Sequence, residues 1–377
     1  MIKFPKGRPT HCCIDHAALR WNLRQIRKSV GARVKILAMV KANAYGHGAA
    51  EVARTLAKSG SDAFGVATVE EGLELRRNRI SQPILALAGV YIDQLNQFLR
   101  NKLTPVIHES ATLRDLDKAL QARKTKLNYQ VEFDTGMART GIPIGEIDSW
   151  LALLGQLKAL KLDGVLSHFS DAESANEKYT LRQLKQFQQV LQRLIHANIF
   201  PTAMHMAKSA ALITVPAAQF TMVRPGLILY GIYPAPQMKK RIALKPVLSW
   251  RSRILQLKTV PAGSCIGYGR TYKTKRISQI ATLPVGYADG YRRLMSNRAA
   301  VLVRGQRAPV VGRVSMDLTT IDVTDIRNVQ QGDEVVLLGR QDNAEISADE
   351  MAGWANTISY EIFTSIGARV PRIHIDY

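Results

Sequence analysis

From Arg33 to about Tyr230 the chain repeats one alternation eight times, a short apolar run followed by an amphipathic stretch. The apolar runs start at Val34, Asp62, Pro83, Leu103, Lys126, Leu162, Thr202 and Thr221, with segments such as VKILAMVKA, PILALAG and TMVRPGLILYG. Strands separated by helical patterns in this way belong to parallel β/α units. Two stretches, one before the first run and one between later runs, carry a clear helical period. Leu19, Leu23, Ile26 and Val30 define one face of a helix that ends at Gly31, where a C-cap glycine belongs. Leu181, Leu184, Phe187, Leu191 and Leu194 define the buried face of a second. Eight units over about two hundred residues predict a (β/α)8 TIM-like barrel. A doubly wound sheet is the alternative, because periodicity alone does not close a barrel.

After about Arg241 the texture changes. Runs such as PVLSWRSRILQLKTV, AAVLVRGQRAPVVGRVSMDLTTIDV and DEVVLLGR are rich in Val, Ile and Thr and are divided by Gly-containing turns, the mark of an antiparallel β domain. One late stretch, residues 347–365, reads as helix, with Ser347 as N-cap and Glu350 as its capping-box partner. At 377 residues the chain exceeds one ordinary domain, although a barrel alone can take ~250 residues. The division expected is a barrel over residues 12–240 and a mainly-β domain over 241–377, with residues 1–11 packing against the latter.

Composition excludes several classes. Hydrophobic residues at 46% and charged residues at 22% rule out disorder and collagen. The apolar run Ile84–Ile92 is about half the ~20 residues a membrane helix requires. The start, MIKFPKGRPTHCC, is basic but has no apolar core of a secretory leader. Three cysteines, two of them adjacent, make no disulfide framework, so a reducing, cytoplasmic setting is expected. Net charge is +22, a balance that suits polyanionic partners. The basic clusters are short and scattered, however, and carry no RNA-binding or helix-turn-helix pattern. Nucleic acid is therefore not the expected main partner. No His or Cys spacing fits a metal site.

Barrel enzymes draw their functional groups from the C-terminal ends of strands and the loops beyond. Those positions hold Lys41, Tyr45 and His47 after the first run, Asp134 to Arg139 after the fifth, and His168 after the sixth. Lys208 and Ser209 follow the seventh, and Arg224-Pro225-Gly226 lies on the eighth. A lysine ending an apolar strand has its pKa lowered by partial burial, and a neutral amine forms Schiff bases. Loops after the last two strands of a barrel often hold phosphate. Together these suggest pyridoxal phosphate or a sugar phosphate.

The segment MVKANAYGHG, from Met39, resembles the cofactor-lysine motif of the alanine racemases, barrel-type pyridoxal phosphate (PLP) enzymes. The resemblance continues in family order through DTGMART, SHFSDA, MHMAKSAA, RPGLILYG, IGYGRTY, PVGYADGYRR, GRVSMD and TISYEIFTSIGARVPR, across nearly the whole chain from Ile14 to Arg372. It implies an isomerase that interconverts L- and D-alanine and supplies D-alanine for peptidoglycan, working as a homodimer with composite sites. Lys41 would carry PLP and act as base on one face of the substrate Cα. Tyr268, from the second subunit, would be the base on the other, since racemisation must return the proton from the opposite side.

The same resemblance assigns the remaining groups. Arg139 would grip the substrate carboxylate with its planar fork, helped by the backbone of Met316 from the partner chain. Arg224 would lie against the pyridine nitrogen, keeping the ring a weaker electron sink and disfavouring transamination, and His168 would bridge Arg224 and Tyr268. Tyr45, Ser209, Gly226, Leu227 and Tyr360 would hold the phosphate. Tyr287, Arg293 and Arg313 would line the substrate entrance, with Glu132 and Asp317 behind the contact residues. His47 and His205 read as supporting groups, and Cys265 as a small buried filler.

Two departures from the family pattern stand out. Ala138 replaces the glycine usual before the arginine, and Glu132 occupies a position where the family often has a lysine, carbamylated in some members. The expectation is that Glu132 supplies that anion outright and orients Arg139. The rivals are a broader-specificity amino-acid racemase and, from another class, a basic nucleic-acid-binding protein built on a PLP barrel.

Overall fold

The computed structural model describes residues 7–376, so the expectation for residues 1–6 lies outside the described residues. The chain divides into two compact units. One comprises Leu19–Ala44 and Ala49–Lys245; the other comprises residues 7–18, Tyr45–Gly48 and residues 246–376.

The first unit is the barrel. Its parallel strands run in the order Lys35–Met39, Ala63–Val66, Ile84–Ala86, Leu103–Ile107, Leu127–Asp134, Leu160–Leu166, Ala203–His205 and Met222–Val223. The last pairs with the first, Met222 opposite Lys35. Between the seventh and eighth the wall is joined by Thr221 N–H to Met204 O at 3.1 Å and Arg224 N–H to Ala207 O at 2.9 Å. All eight expected strands are present, and the barrel reading prevails over the doubly wound sheet. The strands are near-continuously apolar because both faces are covered; Ile36, Ala38, Phe64, Ala86, Val106 and Val131 are fully buried.

The two expected helices form, at His16–Val30 and Lys178–His196. In the second, the buried face is turned from the one expected. Thr180, Gln183, Leu184, Phe187, Val190 and Leu194 are buried, while Leu181 is half exposed. Gln183 takes the inner position because its side chain has partners there: its Oε1 accepts from Ser170 N–H and its Nε2 donates to His168 O.

The second unit is mainly β. Its largest sheet runs in the order Gln306–Pro309, Ala300–Val303, Glu334–Gln341, Leu248–Arg253, His11–Asp15 and Arg372–Ile375. The expected barrel start at residue 12 is thus not where the barrel unit begins. His11–Asp15 lies antiparallel to Leu248–Arg253 and parallel to Arg372–Ile375, with Cys12 opposite both Trp250 and Arg372. Cys12 and Cys13 point to opposite faces of this strand, and both are buried. Burial pushes the Cys12 thiol up to about 12, so it stays protonated and inert. Cys265, expected to be buried, is exposed.

The late helical stretch is two helices, Ala348–Trp354 and Ser359–Ser365. The first stops because Asn356 turns left-handed, φ +51°, as helix C-termini commonly do. Ser347 Oγ does accept from Glu350 N–H at 3.1 Å, but the Glu350 carboxylate is taken by Arg307 and does not complete the box.

Candidate active site

The strand Lys35–Met39 delivers Lys41 to the C-terminal end of the barrel. The four residues after it, Ala42 to Tyr45, all have φ between +51° and +54°. A left-handed turn without glycine costs roughly 1–2 kcal/mol per residue, so the surroundings must hold it in place. Ala42 N–H donates to Glu71 Oε1 at 2.6 Å, and Ala49 N–H to Asn43 Oδ1 at 2.7 Å. Glu71 is also the capping-box residue of the helix Val69–Arg77, where its Oε2 accepts from Ala67 N–H at 2.7 Å. One carboxylate therefore ties the turn after Lys41 to the next β/α unit. The Thr68-x-x-Glu71 spacing is the sequence signal for the capping box alone; the contact with Ala42, 29 residues away, has no local signature. The protein around the Lys41 amine withholds water and lowers its pKa; Arg139 and Arg224 lower it further, against an opposing pull from Glu71.

Arg224 is buried at the end of the eighth strand. Its Nη1 donates to His205 Nδ1 at 2.6 Å and to His205 O at 3.0 Å. Its Nη2 donates to Ser167 O at 2.7 Å and to His168 Nδ1 at 3.1 Å. A guanidinium only donates, so both histidines must present Nδ1 as a lone pair and carry their proton on Nε2. His205 Nε2 then donates to Gln130 Oε1 at 2.7 Å. Burial, then Arg224, holds both imidazoles well below their usual pKa. Burial also pulls Arg224 down to about 10, which leaves it charged at neutral pH.

The loop after the fifth strand presents Arg139. Asp134 Oδ1 accepts from the backbone N–H groups of Gly136, Met137 and Ala138, an Asx-type turn. Ala138 sits at φ +54°, which explains why a glycine is the easier residue there. Glu132 is buried, but the expected contact with Arg139 is not formed among the described residues. Its Oε2 instead accepts from Thr140 Oγ1 at 2.9 Å and lies 2.9 Å from His108 Nδ1. Glu132 thus restrains the residue next to Arg139 and leaves the guanidinium exposed. His108 in turn reaches Leu87 O with Nε2 at 3.0 Å. His108 lies in none of the sequence motifs, and Thr140 closes DTGMART without a role of its own there.

Ser209 begins the short helix after the seventh strand, and its buried Oγ accepts from Gly226 N–H at 2.9 Å. Leu227 opens a 3-10 turn at the same place, and the first N–H groups of such a turn have no acceptor within it. These residues fit a phosphate ester. The Nη groups of Arg224 are satisfied by protein, whereas its Nε–H meets no acceptor among the described residues, a donor suited to a heteroatom of the cofactor ring. The groups present therefore fit PLP. Lys41, Arg139, His168, Ser209, Arg224, Gly226 and Leu227 are brought together in the barrel unit.

The other expected residues lie in the β unit. The Tyr45 and Tyr360 rings pack 5.9 Å apart, centroid to centroid. His47 Nδ1 contacts Tyr45 O at 2.9 Å, with its ring against Phe363. Tyr268 is 73% exposed at a turn between two left-handed glycines, and a Cβ on Gly269 would meet the Arg313 guanidinium at 3.2 Å. Arg293 is exposed. Tyr287 N–H donates to Ser315 O and Ala288 N–H to Met316 O, each at 3.0 Å, so the Tyr287 and Met316 loops are joined. Arg369 braces both, with Nε to Asp289 Oδ1 at 2.6 Å and Nη2 to Asp317 Oδ1 at 2.7 Å. Arg8 grips both oxygens of the same buried Asp289. Arg369 lies in the motif TISYEIFTSIGARVPR but carries no role there, and Arg8 lies in no motif; both act over separations no local pattern encodes.

A parallel barrel with a lysine at a strand end beside a fixed, buried guanidinium has the layout of a barrel enzyme whose site lies at the C-terminal ends of its strands. Residues 14–234 match the family described as alanine racemase, N-terminal domain, and residues 247–374 the alanine racemase, C-terminal domain. The chain belongs to the alanine racemase family. It is 43% identical over 365 residues to the alanine racemase of Halothermothrix orenii, covering 97% of this chain and 96% of that one. The alanine racemase of Syntrophobacter fumaroxidans is 43% identical over 354 residues, covering 94% of each. Among solved structures, alanine racemase from Bacillus anthracis with bound L-Ala-P superposes with a TM-score of 0.93 at 35% identity, over 98% of this chain and 96% of that one.

Proposed function

We propose that the chain interconverts L- and D-alanine, with PLP carried on Lys41, by proton exchange between two bases. The reading is carried by the placement of Lys41 just past a barrel strand, its amine shielded from water, in the field of Arg139 and of the fixed Arg224. An amine that gives up its proton more readily than an ordinary lysine can bind a carbonyl cofactor and afterwards serve as a base. PLP, when bound, supplies the electron sink that makes the Cα–H bond of alanine acidic.

The chain's own groups do the rest. Lys41 Nζ takes or returns the Cα proton on one face, and the partner subunit's Tyr268 does so on the other. Arg139 holds the substrate carboxylate, assisted by the backbone N–H of the partner subunit's Met316, with Asp317 and Glu132 steadying the two loops. Arg224 keeps its charge at the cofactor ring, and its hold on the His168 lone pair leaves the Nε2 proton of that imidazole as a fixed donor. Ser209, Gly226 and Leu227 hold the phosphate, with Tyr45 and Tyr360 contributing their hydroxyls. Tyr287, Arg293 and Arg313 line the substrate entrance. The exposure of Tyr268 and Met316 supports a homodimer in which each subunit completes the other's site. The product D-alanine would serve peptidoglycan synthesis, and the exposed free thiol of Cys265 suits a cytoplasmic setting.

The test is Cα proton exchange by holoenzyme carrying Tyr268→Phe. PLP should stay bound and racemisation should be lost in both directions. Deuterium wash-in from D-alanine, handled by Lys41, should survive better than from L-alanine. Equal loss from both enantiomers would overturn the assignment of bases.

A further inference from the structure

The N-terminal end of the barrel, opposite the end that carries Lys41, holds a feature the racemase reading does not use. Two successive helices there stop in the same way. Val69–Arg77 runs into Asn78 and Arg79, and Leu95–Arg100 runs into Asn101 and Lys102. In each, the capping asparagine returns Nδ2 to the carbonyl four residues back, Asn78 to Glu74 O at 3.0 Å and Asn101 to Gln97 O at 2.9 Å. In each, the next residue is a cation in the left-handed region, Arg79 at φ +62° and Lys102 at φ +49°.

The helix dipole accounts for Arg77 and Arg100 in the last turns. It does not account for Arg79 and Lys102, which stand where glycine is the easier residue.

Their side chains line two adjoining concavities that share Ile80 and Ser81. The first, about 610 Å³, is walled by Arg54, Lys58, Arg77 and Arg79; the second, about 520 Å³, by Arg76, Arg100 and Lys102. Neither lining contains a carboxylate or an aromatic ring. Arg54 is engaged by Glu51 and Asn78. Lys58, Arg77, Arg79, Arg100 and Lys102 form no ion pair with a described residue.

Arg76 makes the wall between the concavities rigid. Its Nη1 donates to Ile80 O and Gln82 O at 2.6 and 2.7 Å, its Nε to Asn101 O at 2.8 Å and its Nη2 to Lys102 O at 3.0 Å. One guanidinium so fixes the backbones of both turns relative to each other, and with them the points from which the exposed side chains of Arg79 and Lys102 extend.

We propose that these paired concavities bind a compact anion bearing several phosphate groups. The volumes suit a small ligand. A single-stranded nucleic acid would call for stacking rings, and the walls supply none. Unpaired cations on opposite sides of a fixed partition suit phosphates linked a few ångströms apart, each contacted from one turn.

The probe is inorganic tripolyphosphate, titrated calorimetrically into PLP-loaded enzyme at low salt. Saturable binding is expected. Arg79→Gly/Lys102→Gly should weaken it by about tenfold or more, since two charge-assisted contacts are lost. The same double variant should melt no lower than the parent, because glycine relieves both left-handed positions. The control is Arg123→Gln/Lys124→Gly, which removes two cations at another helix end of the same unit, where Lys124 is also left-handed at φ +51°. It should change the affinity by less than about twofold if the site is local.

Absence of saturable binding would overturn the proposal. Equal weakening by both double variants would do so as well, since it would mean that only the diffuse +22 field attracts the anion. A lower melting point for Arg79→Gly/Lys102→Gly would assign those cations to the fold and equally defeat the proposal.

Discussion

Asp289 offers the sharpest test of how the β unit is held together. Its carboxylate is fully buried and receives Arg8 on both oxygens at 2.6 and 2.7 Å, Arg369 Nε at 2.6 Å and Gly286 N–H at 2.9 Å. Burial alone would raise its pKa, but the hydrogen bonds from Arg8, Arg369 and Gly286 outweigh it and hold the pKa below the usual carboxylate range. Asp289→Asn keeps the shape and removes the charge, leaving two guanidiniums facing each other. Breaking one side of a buried pair costs ~3–5 kcal/mol. Arg8 and Arg369 are 31% and 41% exposed, so solvent screens part of that, and about 2–4 kcal/mol is the expected loss. Urea unfolding at neutral pH, read by a probe confined to the β unit, measures it. Because the folded pKa is depressed, the stabilisation is fully present above the unfolded value, ~3.9, and is lost as pH falls through the folded value. The gap between wild type and variant should therefore persist at pH 5 and close in stronger acid. A loss below about 0.5 kcal/mol at neutral pH, the range of an ordinary surface change, would refute the reasoning.

Three further outcomes follow from the barrel and the composite site. Ala138→Gly should relieve the left-handed strain beside Arg139 and raise stability by about 0.5–1 kcal/mol in thermal unfolding, with activity retained. Glu132→Gln should retain PLP but raise the KM for alanine about tenfold, because the Thr140 and His108 contacts that steady the Arg139 loop are weakened; wild-type activity should not respond to bicarbonate, and an unchanged KM would dissociate Glu132 from substrate binding. Mixing Lys41→Ala with Tyr268→Phe should restore about a quarter of wild-type activity once native mass spectrometry confirms subunit exchange, since only one site in each mixed dimer has both bases; no recovery would mean sites built within one chain.

What could be read in advance depended on how local the cause was. The barrel strands were legible because apolar runs and helical faces each span only a few residues. The motif residues of the barrel were legible because strand ends fix where side chains emerge. The pairing of His11–Asp15 with strands more than two hundred residues away has no local signature. The partner of Glu132 was misjudged for a related reason: spacing placed the carboxylate near the Arg139 loop but could not decide between a guanidinium and the hydroxyl of Thr140. The left-handed turn Ala42–Tyr45 was hidden because none of its residues is glycine. Gln183 took an inward position from Leu181 through hydrogen bonds that an apolar-periodicity argument does not weigh.

The strand His11–Asp15 has a consequence for the order in which the chain acquires its structure. It leaves the ribosome before every barrel strand, yet both of its neighbours, Leu248–Arg253 and Arg372–Ile375, are made much later. At a synthesis rate of ~5–20 residues per second the wait for the last strand is tens of seconds. Throughout that interval the barrel segments can assemble, while an apolar strand with two open edges is held without its sheet. Nascent chains should therefore be most prone to pair wrongly with one another in that window. A chaperone that shields the strand His11–Asp15 would aid the yield of this protein more than one acting on the finished barrel.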